Sequence, residues 1–85
     1  MPEGFRYPLA YTFKVMGLAD DGFAEHARRL VARVVGEVPP ERVVVRRSAG
    51  GKYHSVSVVA MLRSEEERRA VYEALSADER VVYYL

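Results

Sequence analysis

Across residues 11–18 (YTFKVMGL), Tyr11, Phe13 and Val15 alternate with Thr12, Lys14 and Met16. A period of two predicts a strand with one buried face, and Gly17 is expected to end it. The period changes in the next segment. Phe23, Ala27, Leu30, Val31 and Val34 fall at helical spacing, with His26, Arg28, Arg29 and Arg33 mostly on the opposite side. Asp20 or Asp21 can cap the start of this helix by accepting an orphan backbone N–H. Gly36 suits its C-terminal end, and Pro39-Pro40 forbids continuation.

The β-branched run at residues 42–48 (RVVVRRS) predicts a second strand, and the Gly50-Gly51 pair supplies the positive φ angles of a hairpin turn. Residues 53–62 form the return strand. Its parity puts Val56, Val58, Ala60 and Leu62 on the core side and Tyr53, Ser55, Ser57, Val59 and Met61 on the other. Ser64 and Glu67 stand in capping-box spacing ahead of a helix whose apolar stripe is Val71, Tyr72 and Leu75. Residues 80–85 (RVVYYL) read as a last strand.

The order is β-α-β-β-α-β, an α+β, ferredoxin-like sandwich: a four-stranded antiparallel sheet with two helices on one face. The expected organisation is a flexible N-terminus at residues 1–6 and a single domain over 7–85. The other side of the sheet is left open, and function is expected there.

Composition narrows the chemistry. The chain has 85 residues, 49% of them hydrophobic and 29% charged, so it is globular, with a thin core that oligomerisation would help. It has no cysteine, which excludes disulfides, thiolate metal sites and cysteine nucleophiles. It also has no Asn, Gln, Trp or Ile, and arginine outnumbers lysine 11 to 2. That pattern suggests a thermophilic source, although a GC-rich genome produces the same bias. A net charge of +1 is too balanced to indicate a nucleic-acid binder. No apolar run approaches bilayer-spanning length and residues 1–7 lack a signal-peptide core, so the expected location is the cytoplasm.

The candidate interaction face is Lys14, Met16, Tyr53, Ser55, Ser57, Val59 and Met61, too apolar for idle solvent surface and too polar for a monomer's core. Scattered apolar residues on a solvated sheet are the alternative reading. A second candidate group, for an anion or ligand, is Arg46, Arg47, Ser48, Lys52, His54 and Gly17. Edge-strand arginines that discourage unwanted strand pairing are the plainer reading of Arg46 and Arg47.

Gly50-Gly51-Lys52 is not a phosphate loop, because it lacks the four-residue spacing between glycines and opens a strand, not a helix. Neither His26 nor His54 has carboxylates spaced to form a metal set, and no nucleophile with an orienting carboxylate accompanies His54, so neither catalytic residues, metal nor cofactor are expected. An RNA-binding sheet would need stacking aromatics where Ser55 and Lys14 stand. An acylphosphatase-type hydrolase needs an asparagine that this chain lacks.

The segments KVMG (14–17), DGF (21–23), RRSAGGKYHSVSV (46–58), VYEAL (71–75) and RVVYYL (80–85) resemble the YbeD-like family of small bacterial proteins of unknown function. The resemblance rests most on the Lys-Val-Met-Gly strand end and on Ser48, Gly51, Tyr53, Ser55 and Val56 of the hairpin. Where the family commonly has a second serine and an asparagine, this chain has Ala49 and Lys52. The resemblance implies an ACT-like fold, of the kind that pairs into dimers and often binds amino acids near the first strand-to-helix loop. On that analogy a ligand would meet backbone amides around residues 17–22, where Asp20 and Asp21 would compete with its carboxylate. It implies no activity. The expectation is a non-enzymatic regulatory or interaction module with a second copy of itself as partner, and an unidentified protein or small-molecule effector besides. Neither nucleic acid nor membrane is expected.

Overall fold

The computed structural model describes residues 5–85. The first strand, β1 (Leu9–Leu18), leads to helix α1 (Phe23–Val35). A single 3-10 turn (Pro40–Arg42) precedes β2 (Val43–Arg47), which a hairpin joins to β3 (Tyr53–Leu62). Helix α2 (Glu65–Ala77) and β4 (Val81–Tyr84) complete the chain. The sheet is antiparallel in the order β2-β3-β1-β4. This is the expected ferredoxin-like α+β arrangement, and no helix among the described residues is long and apolar enough to cross a membrane.

Both helices pack on one side of the sheet. Phe13, Val15, Val56, Val58, Ala60 and Leu62 meet Phe23, Ala27, Leu30 and Val31 of α1 and Val71 and Leu75 of α2. Val38, in the loop after α1, also enters this core, held there as the Arg28 Nη1 donates to its carbonyl at 2.9 Å.

Local chemistry explains where elements begin and end. Asp20, not Asp21, prepares the start of α1. Its Oδ1 accepts from the Gly22 N–H at 2.8 Å and its carbonyl accepts from the Phe23 N–H, while the cap position itself is Gly22. At α2, Ser64 Oγ accepts from the Glu67 N–H as expected, but the Glu67 carboxylate reaches back one residue further, to the Arg63 N–H. Gly50 and Gly51 both have positive φ, and the Gly51 N–H closes the turn on the Ser48 carbonyl.

Gly17 lies inside β1 instead of ending it, and it is buried. A Cβ there would stand 2.5 Å from Phe23 Cζ and 2.6 Å from the Arg80 carbonyl oxygen, so a bare backbone is what lets the Phe23 ring lie against the strand.

Residues 1–4 of the expected N-terminal stretch lie outside the described residues. The Phe5 ring packs 6.0 Å from that of Tyr11, with the Arg68 guanidinium carbon 4.8 Å from its centre. Arg68 also lies over Tyr11 and Tyr72, whose hydroxyls are 2.9 Å apart. Burial, then the hydrogen bond to Tyr11, pushes the Tyr72 phenol up to about 12.

Candidate functional site

Alternation along the two central strands puts Ala10, Thr12, Lys14, Met16 and Leu18 of β1, and Tyr53, Ser55, Ser57, Val59 and Met61 of β3, on the side without helices. All seven residues of the candidate interaction face are therefore on one surface. The register extends it over the edge strands. One row reads Val44, Ser57, Lys14 and Leu85, and the next Arg46, Ser55, Met16 and Tyr83. Leu18 beside Tyr53 closes one end, and Thr12–Val59 and Ala10–Met61 extend the other.

Leu18, Val44, Met61, Tyr83 and Leu85 each keep more than half of their surface exposed, so the open face carries large apolar side chains around small hydroxyl residues. Lys14 is the one charged side chain that the central strands contribute to it. The edge-strand members Val44, Tyr83 and Leu85 escaped the sequence reading. Parity within residues 81–85 groups Tyr83 and Leu85 with the core-packed Val81, from which the bulge between Met16 and Gly17 separates them, and which strand each segment joins is not encoded locally.

The second candidate group does not form one site. Arg46 shares the open face with Ser55, whereas Arg47 and His54 lie opposite each other on the helix side. Ser48 is engaged in the hairpin: its N–H donates to the Tyr53 carbonyl and its Oγ accepts from the Tyr53 N–H. The Lys52 carbonyl accepts from the Ala19 N–H, and its ammonium sits 5.5 Å from the Tyr53 ring centre. Gly17 is covered by Phe23.

What does converge is a cavity of about 390 Å³ lined by Ala19, Asp20, Asp21, Arg47, Gly51 and His54. His54 is 9% exposed, and its ring makes no hydrogen bond to a described residue. His26, by contrast, is half-buried and hydrogen-bonded through Nε2 to Asp78 Oδ2 at 2.8 Å, joining the first helix to the end of the second. Burial would raise the Asp78 pKa, but hydrogen bonds from the His26 ring and the Arg80 N–H outweigh it and hold the carboxyl below its ordinary value. Sequence reading missed this pair because its members are 52 residues apart. Among the described residues no cluster of three His, Asp or Glu side chains is placed to hold a metal ion.

Fold and face together define a ferredoxin-like α+β domain with one uncovered sheet surface. Residues 2–85 match the family model described as "Protein of unknown function (DUF493)", and the chain belongs to that family. It is 38% identical over 71 residues to the UPF0250 protein RSc0326 of Ralstonia nicotianae, covering 84% of this chain and 73% of that one. Over 80 residues it is 34% identical to the UPF0250 protein IL0958 of Idiomarina loihiensis, covering 93% and 88%. These relatives bear out the YbeD-like resemblance. The solution structure of protein HP0495 from H. pylori superposes with a TM-score of 0.72 over 95% of this chain and 85% of its own, at 20% identity, and shares the fold.

Proposed function

We propose that this chain is a non-enzymatic interaction module that pairs with a second copy of itself through the open sheet face. The observation that carries the reading is the set of large apolar side chains, Leu18, Val44, Met61, Tyr83 and Leu85, exposed on one continuous surface. Ser55, Ser57 and Thr12 are small, which lets two sheets approach to the ~10 Å of face-to-face packing. The strands hold 10, 5, 10 and 4 residues. At ~3.3 Å rise and ~4.8 Å spacing they cover a flat footprint of about 460 Å². Projecting side chains add to that area, so two such faces approach the ~1,200 Å² total at the lower end of specific interfaces. The dimer is accordingly concentration-dependent.

Size-exclusion chromatography with light scattering, run from micromolar to millimolar chain, tests this. The parent shifts from monomer to dimer. Met16→Glu or Val59→Lys, each placing an unpaired charge in the contact, weakens the dimer by ~3 kcal/mol or more, about a hundredfold. A chain that stays monomeric throughout overturns the proposal.

A second reading is favoured by the cavity that His54, a buried residue, lines together with Arg47. It assigns the cavity between the hairpin and the start of α1 to a small anionic effector. Amide shifts of Ala19, Gly51 and His54 on titration with a small carboxylate test it, and their absence at millimolar ligand rejects it.

A further inference from the structure

We propose that the free edge of β2 is a docking site for an extended peptide segment of a partner protein in which acidic and apolar residues alternate. This does not rest on the open-face pairing, which leaves the backbone of both sheet edges unoccupied, although the Arg46 side chain borders both surfaces.

Three observations converge on β2. The first is the backbone. β2 lies at one end of the sheet and pairs with β3 alone. The Ser48 N–H donates to the Tyr53 carbonyl across the hairpin. Antiparallel alternation from that bond turns the amides of Val44 and Arg46 toward β3, and the N–H and C=O of Val45 and the N–H of Arg47 outward. An exposed edge of this kind is a template for one more strand.

The second is a groove. Between α1 and β2 runs an open cavity of about 320 Å³ lined by Ala24, Arg28, Pro40, Val43 and Val45, with Asp21 and Glu25 on its far wall. Directly opposed residues of paired strands share a face. The partner residue facing Val45 therefore directs its side chain into this groove, where a valine-sized group covers the exposed parts of Val43 and Val45. The Glu25 carboxylate is engaged by Arg28 and Arg29 and held at a pKa of about 2, so the groove wall presents Asp21 as its one unengaged acid.

The third is charge. Arg28, Arg29, Arg63, Arg68, Arg69 and Arg80 each pair with a carboxylate. Of the described cations without a carboxylate partner, Arg42, Arg46, Arg47 and Lys52 gather on and beside β2, while Arg6, Lys14 and Arg33 lie elsewhere. Arg46 stands on the open face, where the alternate residues of an added strand also stand, and a carboxylate there meets it. A second copy is the wrong occupant, because it brings the same unpaired arginines to the shared edge.

The test is fluorescence anisotropy with the labelled pentapeptide Glu-Val-Glu-Val-Glu, compared with Lys-Val-Lys-Val-Lys and with the acidic peptide N-methylated at its valine amides. The acidic peptide binds, and the basic and N-methylated ones bind about tenfold more weakly or not at all. Arg46→Glu reverses the preference between acidic and basic peptides. Val45→Pro removes an outward N–H that the native sheet does not use, a position where proline is tolerated, and weakens acidic-peptide binding at least ~10-fold, the loss of about one hydrogen bond. Circular dichroism checks that each variant is folded, and Arg46→Glu carries the test if Val45→Pro is not. No acidic-peptide binding at millimolar protein, equal binding of both peptides, or an unchanged preference in Arg46→Glu overturns the proposal. So does a folded Val45→Pro that alters self-association and leaves peptide affinity unchanged.

Discussion

Gly17→Ala adds one methyl group where the structure leaves no room. Its Cβ would lie 2.5 Å from Phe23 Cζ and 2.6 Å from the Arg80 carbonyl oxygen, each about 1 Å inside ordinary contact. Neither obstacle gives way easily. Phe23 is 1% exposed and enclosed by the core, and the Arg80 oxygen belongs to the backbone that leads into β4. Overpacking costs roughly 1–3 kcal/mol, and two hard contacts, one with backbone, place this case near the upper end. The lower backbone entropy of alanine offsets about 0.5–1 kcal/mol, leaving about 2 kcal/mol. For a domain of this size that lowers Tm by roughly 10–15 °C.

Urea unfolding followed by far-ultraviolet circular dichroism reads this as a lower midpoint at unchanged slope. A double-mutant cycle identifies the cause. Phe23→Leu removes the ring atoms that the methyl meets, so Gly17→Ala costs at least ~1 kcal/mol less in that background. The reasoning fails if Gly17→Ala leaves Tm within about 2 °C of the parent, or if its cost is the same with leucine at position 23. A ligand-contacting Gly17 would instead lose binding at full stability.

The Asp78 carboxyl is held below its ordinary value by His26 and the Arg80 N–H. Its stabilising contribution is therefore complete above the unfolded value of ~3.9 and is lost as pH falls through the lower folded value. Urea midpoints between about pH 5 and about pH 2 fall for the parent, and Asp78→Asn flattens part of that limb; superimposable limbs would contradict it. Tyr72 titrates in the opposite sense. With its folded pKa pushed up to about 12, its contribution is full below ~10 and disappears as pH rises through 12. Tyrosinate absorbance of the folded chain shows a late ionisation that Tyr72→Phe removes, and an unchanged titration in that variant counts against the half-buried Tyr11–Tyr72 pair. Lys14→Met takes the one central-strand charge off the open face and tightens self-association, because the cost of desolvating that ammonium is removed; unchanged or weaker association places the contact elsewhere.

Much of the architecture was legible because it is written in short-range periods. The return strand was bounded correctly at Tyr53 and Leu62, since valines two apart leave no other face for the core. Phe23, Ala27, Leu30 and Val31 identified the buried side of α1 for the same reason. His54 lies on the helix side by the same alternation, which removes it from the open face. What escaped depends on distant partners. Gly17 looked like a strand terminator because the Phe23 ring that requires it folds back from the next element. The Asp20–Arg80 pair, 60 residues apart, and the His26–Asp78 bond have no local signature. The seven face residues were found from the central strands alone, whereas Tyr83 and Leu85 joined them only through the register of β4 against β1.

The central claim, that the uncovered side of the sheet meets its own counterpart in a second molecule, is tested most directly by isotope-filtered NMR on a mixture of labelled and unlabelled chains. The account predicts intermolecular contacts from the methyl groups of Met16, Val59 and Met61, reaching the side chains of Tyr83 and Leu85. Intermolecular contacts confined to β2, to β4 or to the helices, or none at millimolar concentration, would contradict it.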